Sequence, residues 1–357
     1  MKLFSCDECG QQLYFESTSC TRCGCRLGYD AERRDLRVLS ERPGHAPELV
    51  EERDGKQRVL RACLNAVEHD ACNWLVPQPS DSAYCASCAL SQTIPDLSLE
   101  ANVVAWKRLE SAKRRLLFTL QALGLPVVPK SVAPETGLAF RFLRGTLEAP
   151  VTTGHEDGLI TLDVAEADPA YREQQRQKLG EKYRTTLGHL RHEIGHYYFD
   201  RLIADGRRTA AFRELFGDER ADYGAALERH YKQGPPADWE QTHISAYATM
   251  HPWEDWAETF AHYLHMVDTL ETAQSYGLAV RTPDASSGTV RASRVDVDEF
   301  ASLMEGFHAV TLALNGLNRS MGHPDAYPFA VCPRASDKLE FVHRTIRDHE
   351  QQRRPTG

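Results

Sequence analysis

Two histidines with a glutamate between them form the segment of clearest chemical meaning in this chain, His192-Glu193-Ile194-Gly195-His196. Histidines four residues apart on a helix lie one turn apart on one face, so both imidazoles can bind a single Zn²⁺ ion. The glutamate can then lie beside a water molecule on that ion and take its proton. This combination is typical of a zinc hydrolase, most often a peptidase. The pattern also occurs by chance, so the remaining sequence has to support it.

A catalytic zinc site needs a third protein ligand, and two groups of carboxylates compete for that role. Asp218 and Asp222 share one helix face, about 22 residues beyond His196. Glu254 lies further along, after a proline suited to the first turn of a helix and among Trp and Phe residues. A buried carboxylate is costly unless it is paired or bound to a metal, which favours Glu254. The aspartate pair remains the alternative.

Two C-x-x-C-G segments open the chain, Cys6-Asp7-Glu8-Cys9-Gly10 and Cys20-Thr21-Arg22-Cys23-Gly24. Each places two thiolates on one tight turn, where the glycine permits a left-handed backbone. Four thiolates can close a tetrahedral Zn²⁺ site. The pattern therefore predicts a structural zinc ribbon held by Cys6, Cys9, Cys20 and Cys23, with Cys25 as a surplus thiol.

A second group of cysteines follows the first: Cys63, Cys72, Cys85 and Cys88. The last two again form a C-x-x-C, and the looser spacing of the first two makes the pattern weaker. We interpret the group as a second structural zinc site, in which His69 could replace one thiolate. The alternative is a set of buried, unligated cysteines around Trp74. Neither group leaves an open coordination position, so both are expected to stabilise the fold.

Composition limits the classes of function. The 357 residues carry a formal net charge of −9, which argues against a nucleic-acid partner. No apolar run approaches the roughly 20 residues that span a bilayer, and the first residues lack the apolar segment of a signal peptide. Nine of the ten cysteines lie in the first 88 residues, a pattern of metal binding rather than of disulfides. We expect a cytoplasmic protein whose partners are a peptide or protein substrate and, through the ribbon, a protein.

The periodicity of the second half predicts the elements that position the site. It indicates a helix over Ala101–Gly124, strands over Leu138–Leu143 and Gly158–Val164, and a helical stretch from about Pro169 to Ile203 with Gly180 as a candidate interruption. This order resembles the layout of zincin-type peptidases, in which the last strand before the zinc helix is often a sheet edge that pairs with substrate. Gly158–Val164 is the candidate edge, with an internal strand as the alternative.

These elements predict an α+β protein in four segments: a zinc ribbon over 1–45, a second cysteine-rich zinc module over 46–98, a mainly helical zincin-like domain with a small sheet over 99–345, and a polar tail over 346–357.

Several motifs resemble known families. Tyr247, followed seven residues later by Glu254 and then by Ala257 and Phe260, is similar to the third-ligand helix of gluzincins of the Mlc-titration-factor and lethal-factor type. The chain more closely resembles a bacterial family of zinc-binding metallopeptidases with an N-terminal zinc ribbon. The segments that carry this resemblance are Cys6 to Cys25, Cys72 to Pro77, His189 to Asp200, Phe216 to Tyr223, His251 to His265, Asn318 to Gly322 and Tyr327 to Phe329.

The resemblance implies a gluzincin with one catalytic zinc on His192, His196 and Glu254, besides one or two structural zinc ions. Glu193 would then be the general base. Tyr247 is the candidate donor to the developing oxyanion. The candidates for hydrogen bonds to the ligand histidines are Asp218, Asp222, Asp255 and Glu258.

The main alternative is a non-catalytic protein, in which the ribbon binds a partner and the zincin-like domain is a scaffold. Glu193 speaks against it, because the metal ligands alone would suffice for a structural site. A zinc hydrolase of non-peptide substrates is the third hypothesis.

Overall fold

The computed structural model describes residues 1–41, 44–53, 55–146, 148–204, 206–281 and 288–353. The chain forms two compact units. The first comprises residues 1–118 and 127–168, and the second comprises residues 119–126 and 169–357. Small sheets dominate the first unit and helices dominate the second, so the α+β class is confirmed. Within the described ranges, no helix combines the length and apolar character needed to cross a membrane.

Short antiparallel sheets begin the first unit. Two of them have two strands each: β1 (Phe4–Ser5) pairs with β2 (Gln12–Leu13), and β3 (Leu27–Asp30) pairs with β4 (Asp35–Val38). The third is a meander of β5 (Glu48–Arg53), β6 (Lys56–Ala62) and β7 (Leu75–Gln78). The helix α1 (Leu64–His69) connects β6 to β7. A cluster of aromatic side chains fills the space between these sheets: Phe4, Phe15, Tyr29, Trp74 and Phe118. This cluster supplies the core that such short strands cannot form by themselves.

A four-stranded sheet completes the first unit and corrects one prediction. Its strands are β8 (Ser91–Thr93), β9 (Ala139–Leu143), β10 (Gly154–Glu156) and β11 (Leu159–Asp163), in the order β10-β11-β9-β8. The prediction that Gly158–Val164 is a sheet edge is wrong, because β11 pairs with β10 on one side and with β9 on the other. The chain turns back at Asp157 and Gly158, both with positive φ, as an Asp-Gly hairpin turn requires. The resulting strand β10 covers the edge.

The predicted helix over Ala101–Gly124 is confirmed as α2 (Glu100–Ala122). The second unit contains α3 (Pro169–Leu179) and α4 (Thr186–Leu202), and the predicted interruption lies at Gly180, whose φ is 66°. Thr185 begins α4 by accepting a hydrogen bond from the Gly188 amide, as an N-cap does.

Five further helices follow α4 within the described residues: α5 (Thr209–Phe216), α6 (Tyr223–Gln233), α7 (Pro252–Ser275), α8 (Phe300–Ser320) and α9 (Pro333–Arg353). A small hairpin of β12 (Ala279–Arg281) and β13 (Thr289–Arg291) lies between α7 and α8. A buried ion pair between Lys338 of α9 and Asp255 of α7, with a distance of 2.6 Å, holds these two helices together. Asp255 is therefore paired with lysine and is not hydrogen-bonded to a ligand histidine.

Candidate metal centre

The helix α4 presents the two histidines as a pair. The ring centroids of His192 and His196 are 4.8 Å apart, and their Nε2 atoms are separated by 3.2 Å. His196 is 3 % exposed and its ring lies 3.7 Å from the ring of Trp253, so it has a fixed orientation. Helix periodicity thus produces the one-face arrangement that the sequence predicts.

The third group comes from the first turn of α7. Pro252 occupies the start of this helix, and the side chain of His251 accepts a hydrogen bond from the Trp253 amide as its N-cap. This start places the Oε2 atom of Glu254 at 2.9 Å from Nε2 of His192 and 3.5 Å from Nε2 of His196. Glu254 is 2 % exposed, and Oε2 makes no well-aligned hydrogen bond within the described residues.

These three atoms fit a zinc ion. Zn²⁺ with bonds of about 2.0–2.1 Å in tetrahedral geometry holds its ligand atoms about 3.3 Å apart. The three separations of 2.9, 3.2 and 3.5 Å are close to that value. A buried carboxylate oxygen beside two imidazole nitrogens also matches the donor types that hold Zn²⁺ in proteins.

A close approach of α4 and α7 brings the ligands together. A Cβ atom at Gly195 would lie only 2.9 Å from the Cα of Ala257, so a larger residue at 195 would force the helices apart. The indole of Trp256 donates a hydrogen bond of 2.8 Å to the carbonyl of Gly195. Gly195, which lies between the two histidines, therefore permits the close packing of α4 and α7 that brings Glu254 to the imidazoles.

An outer set of hydrogen bonds orients His192. Nδ1 of His192 is 2.7 Å from Oε1 of Glu258, and the Ser245 hydroxyl donates a 2.6 Å bond to the other oxygen of that carboxylate. Burial alone would raise the pKa of Glu258, but the hydrogen bond and charge of His192 lower it to about 2. An ionised Glu258 favours the tautomer with the proton on Nδ1, which leaves Nε2 free to bind a metal. Glu258 thus forms a hydrogen bond to a candidate ligand histidine, the contact for which the sequence made it a candidate. The sequence analysis did not identify Ser245 as part of the site.

Tyr223 is a second residue that sequence reasoning missed. Its hydroxyl donates a hydrogen bond of 2.9 Å to Oε1 of Glu254 and so holds the carboxylate with Oε2 toward the histidines. Burial and the negative charge of Glu254 raise the pKa of Tyr223 above its ordinary value. The only signal in the sequence was the position of Tyr223 at the end of a family-like segment.

The competing aspartates do not join the group. The Asp218 carboxylate forms two bonds of 2.8 Å with the Arg220 guanidinium and is half-exposed. Asp222 accepts a hydrogen bond from the Ala225 amide and caps α6. Neither belongs to the cluster of His192, His196 and Glu254, whose ligand atoms all lie within 4.8 Å of one another.

Glu193 and Tyr247 complete the surroundings of the three ligands. Glu193 is 8 % exposed, and burial raises its pKa to about 7, against the opposing effect of His192. Tyr247 lies in a single turn of 3₁₀ helix, with its ring centroid 6.0 Å from that of His192. Burial and the charge of Glu254 raise the pKa of Tyr247, so it carries its proton at neutral pH.

The first unit contains two groups of four cysteine sulfurs. In the first, the sulfurs of Cys6 and Cys23 are 3.7 Å apart and those of Cys9 and Cys20 are 3.5 Å apart. A tetrahedral site with Zn–S bonds of about 2.3 Å has sulfurs about 3.8 Å apart. All ten cysteines are free thiols, and Cys25 lies outside the group.

The second group is more deeply buried than the first. Its members are Cys63, Cys72, Cys85 and Cys88, each no more than 4 % exposed. The sulfurs of Cys72 and Cys85 are 3.7 Å apart, so this group also fits a zinc ion. His69 is not part of it; its ring packs against Trp106.

Arg114 of α2 is a charged neighbour of the second group that the sequence did not reveal. It is 6 % exposed and donates a 2.7 Å hydrogen bond to the carbonyl of Ala71, next to Cys72. Burial alone would lower the pKa of Arg114, but the negative charges of Cys72 and neighbouring groups raise it. A guanidinium here offsets part of the charge of four thiolates around a divalent ion.

Comparisons with known proteins identify the family of the chain. Residues 102–345 match the model of the family described as "Putative zinc-binding metallo-peptidase", and residues 3–99 match a zinc-ribbon domain. One protein from Mycobacterium bovis and one from Mycobacterium tuberculosis, both described as uncharacterized, are each 43% identical to the chain over 347 residues, which cover 97% of this chain and 95% of theirs. No solved structure matches. The chain therefore belongs to this zinc-binding metallo-peptidase family and carries the zinc-ribbon domain at its N-terminal end.

Proposed function

We propose that the protein is a zinc-dependent peptidase of the gluzincin type, with His192, His196 and Glu254 as the metal ligands. The observation that carries the proposal is the convergence of two Nε2 atoms and one carboxylate oxygen from α4 and α7, with Glu193 on the same helix as the histidines. A purely structural site would need only the three ligands and not the additional buried carboxylate of Glu193. When bound, a zinc ion would act as a Lewis acid that acidifies water and polarises the scissile carbonyl.

Glu193 is the general base and acid of this mechanism. It accepts a proton from the attacking water and returns it to the leaving amine, so that a peptide bond is cleaved and one water molecule is consumed. Burial raises the pKa of Glu193 in the metal-free protein, and a catalytic carboxyl with a raised pKa can both accept and release a proton.

Tyr247 and Glu258 have supporting roles. The protonated phenol of Tyr247 donates a hydrogen bond to the oxyanion that develops on the substrate carbonyl. Glu258, itself bound by Ser245, holds the ring of His192 in its orientation. Tyr223 does the same for the carboxylate of Glu254.

The two cysteine groups bind further zinc ions, one each, so that the loaded chain contains about three. These ions are structural, since four thiolates complete each coordination shell. The ten cysteines form no disulfide, which is consistent with a reducing compartment, and we place the protein in the cytoplasm.

The decisive experiment compares zinc-loaded wild type with Glu193→Gln on a mixed peptide library, analysed by mass spectrometry. Wild type is expected to cleave, and the variant is expected to retain zinc while losing nearly all cleavage. Cleavage that survives the substitution would contradict the mechanism. A wild-type protein that binds zinc and cleaves no peptide would favour the alternative of a scaffold that binds a protein partner.

A further inference from the structure

A cavity of about 130 Å³ lies in the second unit, apart from the metal ligands. Rings and aliphatic groups form most of its wall: Tyr183, His265, Phe307, Leu314, Tyr327 and Phe329. Tyr183 and Phe329 are half-buried and Leu314 is exposed, so the cavity opens to solvent between them. The proposed mechanism uses none of these residues.

Polar side chains of α8 hold one side of the cavity in place. Asn315 donates a 2.9 Å hydrogen bond to the carbonyl of Tyr327 and accepts a 3.0 Å bond from its amide. The Arg319 guanidinium pairs with both carboxylate oxygens of Asp325, at 2.6 and 2.7 Å. The family-like segments around Asn318 and Tyr327 therefore cooperate: the first fixes the loop, and the loop carries Tyr327 and Phe329 to the cavity.

Two hydroxyl groups of the wall are already hydrogen-bonded within the protein. The Thr311 hydroxyl donates to the carbonyl of Phe307 at 2.8 Å, and the hydroxyl of Tyr327 is 2.7 Å from Nδ1 of His262. Burial, together with the charge of Arg191, lowers the pKa of His265 far below its ordinary value, so its imidazole is neutral. The described lining contains no carboxylate, lysine or arginine. Such a wall favours an uncharged, apolar occupant.

The volume of the cavity suits one side chain. An engineered cavity of about 150 Å³ in another protein binds benzene, so a space of this volume accepts a single aromatic ring or a branched aliphatic group. Leu317 and Met321 extend the apolar surface outward from Leu314 along the same face of α8, and they are 64 % and 74 % exposed. An apolar group can therefore reach the cavity across apolar surface.

One face of α7 connects the cavity to the metal centre. Glu254, Glu258, His262 and His265 follow one another at intervals of four, four and three residues, so they form a continuous row along the helix. His265 at the cavity is 11 residues beyond Glu254, which corresponds to about 16 Å at 1.5 Å per residue. An extended peptide covers that distance in about five residues.

We propose that this cavity receives an uncharged aromatic or branched aliphatic side chain of the peptide substrate, about five residues from the bond that is cleaved. The inference rests on the proposed peptidase function and adds to it a substrate class: peptides long enough to reach both places, with an apolar anchor.

The test uses binding as well as cleavage, with a matched pair of variants. Leu314→Trp fills the cavity, whereas Leu312→Trp makes the same change two residues away, at an exposed position outside the lining. Each is combined with Glu193→Gln in the full zinc-loaded chain, incubated with a degenerate peptide library and separated from free peptide by ultrafiltration. Mass spectrometry identifies the retained peptides, and zinc content and thermal unfolding verify folding.

We expect peptides with Phe, Leu or Ile at one position to be retained by Glu193→Gln, about tenfold or more over peptides with Asp or Lys there. Leu312→Trp should keep this preference and Leu314→Trp should lose it. Equal preference in both, enrichment of charged residues, or no retained peptide would overturn the proposal.

The outcomes separate this proposal from the peptidase function. If Leu314→Trp abolishes the preference in binding but wild type cleaves nothing, the cavity is a peptide-binding site and the peptidase function is wrong. If wild type cleaves and Leu314→Trp cleaves with unchanged preference, only the present inference fails.

Discussion

Oε1 of Glu258 lies 2.7 Å from Nδ1 of His192, one helical turn beyond Glu254 on the same face of α7. One helix therefore supplies both a proposed metal ligand, Glu254, and the carboxylate that orients a second proposed ligand, His192. Because α7 is packed closely against α4 through Gly195 and Trp256, this double contact depends on the spacing of the two helices.

Removing the orienting carboxylate should weaken zinc binding at the histidine site. Glu258→Gln replaces a charged acceptor with an amide, and the loss of such an outer partner typically costs about 10–100-fold in metal affinity. Competition with a chromophoric chelator measures the change. Glu271→Gln, on the same helix and away from the site, is the control. Equal zinc affinity in wild type and Glu258→Gln would mean that this hydrogen bond does not orient His192.

Tyr247→Phe should lower kcat while leaving zinc content unchanged. If the phenol donates to the oxyanion, its loss costs about 2.7–4 kcal/mol, which is about 10²–10³ in kcat, with little change in KM. Steady-state kinetics on a peptide that wild type cleaves give both constants. A variant with a raised KM and unchanged kcat would assign Tyr247 to substrate binding instead.

The two cysteine groups should release zinc at different rates. In the first group Cys23 is exposed and Cys9 half-buried, whereas all four sulfurs of the second group are buried. A chelator should therefore remove zinc first from the first group, because release requires access to the thiolates. Release followed by absorbance should show separate phases, of which Cys23→Ser removes the fast one. If Cys63→Ser removed the fast phase instead, the order would be reversed.

Arg114 should be required for the second cysteine site. Arg114→Met keeps an unbranched apolar stem but leaves the buried thiolate group without its nearby guanidinium, at an expected cost of about 3–5 kcal/mol in the free energy of unfolding of the zinc-loaded protein. Arg114→Lys retains the charge and should recover part of the loss. Denaturant unfolding with zinc analysis measures both. Equal destabilisation by the two variants would assign Arg114 a packing role.

Asp30 should make stability depend on pH in acid. Burial alone would raise the pKa of Asp30, but the Arg58 guanidinium, at 2.5 and 2.9 Å, lowers it below the ordinary 3.8. A lowered folded-state pKa gives a stabilisation that is complete above the unfolded-state value and disappears as the pH falls through the folded-state value.

The wild type should accordingly lose more stability than Asp30→Asn as the pH falls through this range. Thermal unfolding of both proteins at a series of pH values measures the difference in stability between them. Zinc loss in acid affects both proteins equally and therefore cancels in this difference. Parallel curves would mean that the carboxylate has the same pKa in the folded and unfolded chain.

The local patterns of the sequence determined the separate parts of the site. Two imidazoles four residues apart on a helix, and thiolates on C-x-x-C turns, have their geometry set by a few neighbouring backbone angles, so their spacing alone predicts which side chains meet. The start of α7 at Pro252 and the break at Gly180 follow from equally local constraints. Composition around Glu254 favoured it over Asp218 and Asp222 because a buried carboxylate requires a partner.

Tertiary structure decided what depends on packing between distant segments. Tyr223 on Glu254, Ser245 on Glu258 and Arg114 beside the cysteines are contacts between residues 13 to 43 positions apart, and no helical or strand period relates them. The edge of the four-stranded sheet was misjudged because the strand that covers it, Gly154–Glu156, has no apolar alternation and is formed by the turn at Asp157 and Gly158. Short-range rules describe a residue and its turn, whereas these partners exist only once helices and strands have packed.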